Sequence, residues 1–334
     1  MPLYATGFNA WNQLQFRVAA SDAQVAEPDD LSSFACVLPD ERVRRVRAAL
    51  SYTEVVLDNG ETRFAGMVPV VHQQLRSADE LTYTALAEAA NGTVVVHDGN
   101  DSLKQYPSVH HLLSHAAPSP VVFANHPAAT QTVAYAAGFA ALDPPTGRVW
   151  TWGDERYAAC LGREPSDDSP AAAPRLLADL VDVPTGPVAK LAASPSGYLL
   201  AALTAGGDLY CWGDAARCGP ALRSLHLDEN DGAPVPVVIA DATDTDGGGD
   251  AEKDVADVGV GDAHVLVLTA DGEVYVLGDN SNGQLGLGPG VATATEWTRV
   301  ELERVLEPGE RVTSVVAGPR NSFLVVEKEN KAMS

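Results

Sequence analysis

Apolar residues in this chain come in runs of strand length that alternate or stay continuous and then stop at glycine. The clearest run is Val265–Gly288, VLVLTADGEVYVLGDNSNGQLGLG. Val265–Leu268 predicts a strand, Ala270-Asp271-Gly272 a hairpin turn, and Glu273–Leu277 the returning strand, because Gly accepts positive φ and Asp tolerates it. Gly278 ends that strand. Gly283-Gln284-Leu285-Gly286 then predicts a tight loop that returns one Leu to the core. This is a sheet module, not a catalytic motif.

One spacing finds further copies. A Gly closes a hairpin and a second Gly follows six positions later, with aromatic or β-branched residues between. Gly272 to Gly278 encloses EVYVL, Gly207 to Gly213 DLYCW, Gly147 to Gly153 RVWTW, and Gly60 to Gly66 ETRFA. A fifth copy starts at Gly92 with TVVVH and has Asp98 where the second Gly belongs. Small antiparallel sheets repeated along a chain predict a propeller. The chain ends supply two half-modules. Leu3–Leu14, LYATGFNAWNQL, matches VYVLGDNSNGQL at Tyr4, Gly7, Asn9, Gln13 and Leu14, and Val312–Glu327 reads as the complementary first half. Joining them in one blade would remove two sheet edges that invite aggregation.

Tyr275–Gly278 with Gly283–Gly286, and Tyr210–Gly213, resemble the regulator of chromosome condensation repeat family. The resemblance covers most of the chain, and the module ending at Gly286 lies nearest the family pattern. Asn12 replaces the first loop Gly of the N-terminal half-module, Gln15 replaces the last, and Ser51–Thr53 occupy a turn that is often more polar. The expected fold is a single all-β propeller over residues 1–334. Five hairpins and one closing blade give six blades. A seventh would have to lie between Gly99 and Gln131. The family resemblance implies seven blades as the common number. It also implies two kinds of activity. Founding members are exchange factors for a small GTPase. Members with one degenerate propeller look like adaptor subunits, some beside a Jumonji-type oxygenase in chromatin, others beside a small zinc protein of tRNA and diphthamide modification.

Composition narrows the picture through charge. The 334 residues carry 22 basic and 45 acidic side chains, a formal net charge of −23. Such a field repels phosphate backbones, so a protein partner with a basic surface is expected and direct nucleic-acid binding is not. Nine of the carboxylates fall in Leu227–Asp254, and the segment 241–253 predicts a mobile acidic insertion. Ala233–Ala240 predicts an outer edge strand, where Pro234 and Pro236 are tolerated. No run of about eighteen apolar residues predicts a membrane span. The opening MPLYATGF has no basic n-region or apolar h-region, which points to cytosol and/or nucleus rather than secretion. Cys36, Cys160, Cys211 and Cys218 form no CxxC pair and read as free thiols.

Candidate chemistry is sparse. His110, His111 and His115 form HHxxxH, which on a helix would bring His111 and His115 to one face. Pro107 and Pro118 bracket the segment, no Glu follows as in HExxH, and a solvated loop is the expected form, with His126 nearby in sequence. The acidic insertion lacks the EF-hand pattern. Arg42, Arg44, Arg45 and Arg47 read as solvated strand positions. Trp150, Trp152 and Trp212 read as packing between blades, whereas Trp11 stands on a loop and reads as a surface anchor.

These residues favour a non-enzymatic scaffold or adaptor, a monomeric propeller that binds proteins on its loop faces with no cofactor and no metal. Trp11, Asp228, Glu229, Asp231, Pro234 and Pro236 are the expected contact residues. Gly7, Gly66, Gly153, Gly213, Gly278, Gly283, Gln284, Leu285 and Gly286 are expected to carry the repeat structure alone. An exchange factor, and a metal-dependent enzyme using the His-rich stretch, are the alternative readings.

Overall fold

The computed structural model describes residues 1–16, 28–77, 85–97, 102–114, 118–124, 131–230, 232–240 and 252–328. They form six antiparallel sheets, and the fold is a six-bladed β-propeller. The chain divides into two compact units. One comprises Met1–Val68, Pro220–Ser224 and Val238–Ser334, the other Pro69–Gly219 and Leu225–Val237.

The first unit begins with β1 (Leu3–Gly7), β2 (Leu31–Leu38), β3 (Val43–Ala48), β4 (Tyr52–Leu57) and β5 (Thr62–Gly66). The second unit holds α1 (Val70–Ser77), β6 (Ala85–Glu88), β7 (Val94–His97), β8 (Ser102–Tyr106), α2 (Val109–Ser114) and β9 (Val121–Ala124). It continues with β10 (Gln131–Tyr135), β11 (Gly138–Asp143), β12 (Arg148–Gly153) and β13 (Arg175–Leu176). Its last blade is β14 (Val188–Ala193), β15 (Leu199–Thr204), β16 (Leu209–Gly213) and β17 (Val235–Val237), with α3 (Ala215–Cys218) after β16. The first unit resumes with β18 (Val255–Val260), β19 (His264–Thr269), β20 (Val274–Asp279) and β21 (Thr293–Arg299), then β22 (Glu310–Ala317) and β23 (Asn321–Lys328).

The chain ends share one blade, in the order β2-β1-β23-β22. β1 pairs with β23 from Leu3 opposite Val325 to Gly7 opposite Asn321. Side chains of the pair alternate between two cores, as the two-residue period of a strand requires. Leu3, Ala5, Phe323 and Val325 pack with Leu38, Val43, Val46, Val55 and Leu57. Tyr4, Leu324 and Val326 pack with Leu266, Leu268, Val274 and Val276. With both faces covered, the strand reads as a continuous apolar run, and each fully buried Leu, Val or Phe contributes about 1.5–3 kcal/mol.

The repeated glycines have a steric cause. Gly278 has φ +121°, and a Cβ there would lie 2.3 Å from the Ala263 carbonyl oxygen. Gly7, Gly66, Gly153 and Gly213 end the corresponding strands. At the next loop, Gly283 has φ +82° and its counterpart Asn12 has φ +57°, a conformation that Asn accepts better than most residues.

Several expectations need correction. The Gly92 turn joins β6 to β7, and β6 packs beside β10, the first strand of the next blade. The turn therefore links the first two strands of its blade, not the second and third. Gly99–Gln131 holds no seventh blade: β8 and β9 complete the blade begun by β6 and β7. The polar stretch 15–40 contains β2, and Trp297 lies in β21. His110 and His111 lie on α2, not in a loop, with the Ser108 Oγ 2.8 Å from His111 Nδ1 at the start of the helix. Of the four arginines expected to be solvated, Arg42, Arg44 and Arg45 are exposed and Arg47 is half-buried; a bulge between Val43 and Arg45 turns adjacent side chains of β3 outward.

His264 begins β19 fully buried. Ser322 Oγ donates to the Gln284 carbonyl at 2.7 Å, so His264 Nε2–H donates to Ser322 Oγ at 3.0 Å. Burial holds its pKa down at about 4. The folded value lies below the unfolded value of about 6.5, so the stabilisation is complete above the unfolded pKa and is lost as pH falls toward about 4. The gap corresponds to roughly 3 kcal/mol. Asn321 holds the equivalent place after Gly318 that His264 holds after Gly261. Denaturant unfolding of wild type and His264→Asn across pH 7.5 to 4 is expected to show a steeper loss for wild type. Parallel curves would contradict this assignment.

Candidate protein-interaction surface

The loop after β1 is built by its own side chains. Leu14 N–H donates to Asn9 Oδ1 at 3.0 Å, and Trp11 N–H donates to Gln13 Oε1 at 2.9 Å. The loop after β20 repeats the device: Leu285 N–H donates to Asn280 Oδ1 at 2.8 Å, and Asn282 N–H to Gln284 Oε1 at 2.9 Å. Leu14 and Leu285 are both buried, which anchors each loop in a core. The copies diverge at one position. Asp279 Oδ2 accepts from Gln284 Nε2 at 2.7 Å, but Phe8 replaces that Asp, and Gln13 Nε2 donates instead to the Leu50 carbonyl at 3.1 Å. Asp30 joins the two loops, accepting from Asn9 N–H at 2.9 Å and from Asn282 Nδ2 at 2.8 Å.

This scaffold presents Trp11, which is 44% exposed on a loop whose backbone is held on both sides. Leu50 and Met67, 48% and 54% exposed, reach the same place through Gln13. Leu50 is joined by its carbonyl. Met67 N–H donates to the Ser51 carbonyl at 2.7 Å, and the preceding Gly66 leaves no room for a Cβ beside Gln13 Cα. An exposed apolar group on a rigid support loses little conformational entropy on binding. Sequence spacing singles out Trp11 but not Leu50 or Met67, which meet it only through the fold.

The other expected contact residues lie in the second unit. Asp228 and Glu229 are exposed in the turn before β17, where Glu229 pairs with His226 at 2.9 Å. Pro236 is exposed and sits opposite Tyr210, whereas Pro234 is buried and offers no contact surface. A Pro in this short edge strand blunts it against strand addition. Asp231, His115, His126 and residues 241–251 of the acidic insertion lie outside the described residues. Among the described residues no three His, Cys, Asp or Glu side chains are grouped as metal ligands. All four cysteines are free, and burial pushes the Cys160 and Cys211 thiols up to about 12, which disfavours thiolate chemistry.

A half-buried aromatic cluster lies between the last two blades of the second unit. The Tyr157 and Tyr198 rings lie 5.3 Å apart, and the Arg217 guanidinium stands 4.9 and 5.2 Å from their centroids. Burial, then Tyr157, raises the Tyr198 pKa. Asp154 and Asp214 each begin the turn after a third strand and accept from the backbone N–H two residues on, at 3.0 and 3.1 Å. Repeated Gly-Asp at Gly153-Asp154, Gly213-Asp214 and Gly278-Asp279 was the sequence signal for these turns. Their meeting with the tyrosines had none.

The arrangement defines a β-propeller whose blades repeat one sheet-and-loop module and whose loops carry exposed anchor residues. Residues 255–284 and 271–325 match the regulator of chromosome condensation (RCC1) repeat, so the chain carries RCC1-type repeats. It is 31% identical over 144 residues to the human probable E3 ubiquitin-protein ligase HERC6, a match that takes in 42% of this chain and 12% of HERC6. The fold also matches human WBSCR16, with 15% identity, a TM-score of 0.58, and 98% and 99% of the two chains covered. Prp20p of Saccharomyces cerevisiae, a protein whose binding to Gsp1p and histones has been described, matches with 13% identity and a TM-score of 0.59. That match covers 99% of this chain and 92% of Prp20p.

Gln13 is fully buried and bonded at both ends of its amide. Gln13→Ala is expected to cost about 1–3 kcal/mol, since it strands buried polar groups. Trp11→Ala is expected to stay within about 0.5 kcal/mol. Denaturant unfolding of both variants checks the contrast between support and anchor.

Proposed function

We propose that this chain is a non-enzymatic protein-interaction module that presents a rigid loop surface to a partner protein. The observation that carries the reading is Trp11, held by Gln13 and Asn9 and flanked by exposed Leu50 and Met67. Monomeric proteins expose single apolar residues freely, but a rigid aromatic with apolar neighbours matches the composition of interface centres. The repeat family supports the class, because propellers offer many loops on a stable frame. The ligase activity in the name of HERC6 belongs to a protein of which the match spans 12%.

The test is affinity capture of the tagged chain, wild type against Trp11→Ala, with quantitative identification of the captured proteins. A buried interface Trp is typically worth about 2 kcal/mol or more, so at least one stoichiometric partner is expected to fall by tenfold or more. An unchanged set of partners would remove Trp11 from the function.

A further inference from the structure

We propose that the Trp11 surface takes a cationic segment of its partner, one that sets aliphatic or aromatic side chains on Trp11, Leu50 and Met67 and a Lys or Arg against Asp29 and Asp30. This rests on the interaction reading above and adds the chemistry of the partner.

The argument is one of unmatched charge beside an apolar anchor. In the first unit many carboxylates already have cations. Glu41 and Glu61 meet Arg63, Asp271 and Glu273 meet Lys253, Glu303 meets Arg299, Glu307 and Glu310 meet Lys328, and Glu327 meets Arg311. The groove that runs between Gly272 and Leu306 is lined by this paired kind, Asp271, Glu303, Glu307 and Glu310. Asp40, Asp58, Asp254 and Glu296 are exposed with no ion pair among the described residues, but Asp29 and Asp30 are the ones bonded to the Trp11 loop, through Asn9. Both are exposed, and neither has a cationic partner among the described residues.

Their position is fixed by the same bonds that fix Trp11. Asn9 N–H donates to Asp30 Oδ1, and Asn9 Nδ2 donates to the Asp29 carbonyl at 3.3 Å. Asn9 also accepts from Leu14 at the far side of the Trp11 turn. The carboxylates therefore stand at one end of a loop whose middle is the tryptophan. Asp30 spends one lone pair of each oxygen on Asn9 and Asn282 and retains the others; Asp29 keeps all of its side-chain acceptors. One cation joins this region through its backbone, Arg320, whose carbonyl accepts from Phe8 N–H at 2.9 Å. The neighbouring turn approaches here too, with the Asp262 N–H bonded to the Pro319 carbonyl at 3.0 Å.

A second copy of this chain is the poorer occupant. Two-fold pairing would set the same carboxylates face to face between molecules of net charge −23. An acidic or neutral segment would leave Asp29 and Asp30 desolvated without partners. A basic segment removes that cost and gains in association rate from the field of the whole chain.

A displayed library of random short peptides, selected on the immobilised full chain at physiological salt with Trp11→Ala as the counter-target, tests this. The expected Trp11-dependent binders carry net positive charge with Lys or Arg beside aliphatic or aromatic residues. Asp29→Asn, which removes no bond within the loop, is expected to weaken them about two- to fivefold. Equal unfolding midpoints of wild type and Trp11→Ala control for folding. Trp11-dependent binders that are neutral or acidic, or that ignore Asp29→Asn, would overturn the cationic partner while leaving the interaction surface standing. Absence of any Trp11-dependent binder would overturn the surface itself.

Discussion

The pairing of β1 with β23 is the contact on which the remaining structure of its unit depends. It joins residues more than three hundred positions apart, so its loop-closure cost is met before any reward is collected. The return lies in where the two strands sit. Alternate side chains of one ladder enter two separate cores, one shared with β3 and β4, the other with β19 and β20. Loss of that ladder would open both cores at once and leave β1 and β23 each with an unpaired edge.

The same pairing explains why the interaction surface is rigid. β1 runs directly into the Trp11 loop, and Phe8 N–H continues the ladder to the Arg320 carbonyl. Asn9 and Gln13 then close the loop on itself, and Asp30 ties it to the equivalent loop after β20. Conformational entropy that a free loop would lose on binding has been lost already in folding. The surface thus inherits its order from blade closure, and its charge from carboxylates that the fold leaves unpaired.

Much of this was readable along the chain, and the reasons differ by element. Central strands such as His264–Thr269 and Val274–Asp279 are covered on both faces, so their apolar runs are continuous and their ends are marked by Gly. The half-modules at Leu3–Leu14 and Val312–Glu327 were visible because each preserves positions that the loop geometry demands. Outer strands were not: Leu31–Leu38, Val121–Ala124, Arg175–Leu176 and Thr293–Arg299 each face solvent along one edge and bury too little to show a period. Gly92 misled because a turn glycine looks alike whichever strand pair it joins. Pro234 misled because a proline suited to an edge position can still lie under its neighbours. Leu50, Met67, Tyr157 and Tyr198 gain their meaning from residues distant in sequence, and no local pattern reports that.

The most direct measurement is amide hydrogen exchange in the full-length chain, followed on segments 3–7, 264–269 and 321–328. If β1 closes the blade, its amides exchange only through global unfolding, with the same opening free energy and denaturant dependence as β19 and β23. Amides of β1 that exchange orders of magnitude faster, as those of a fraying terminus do, while β19 stays protected, would contradict the account.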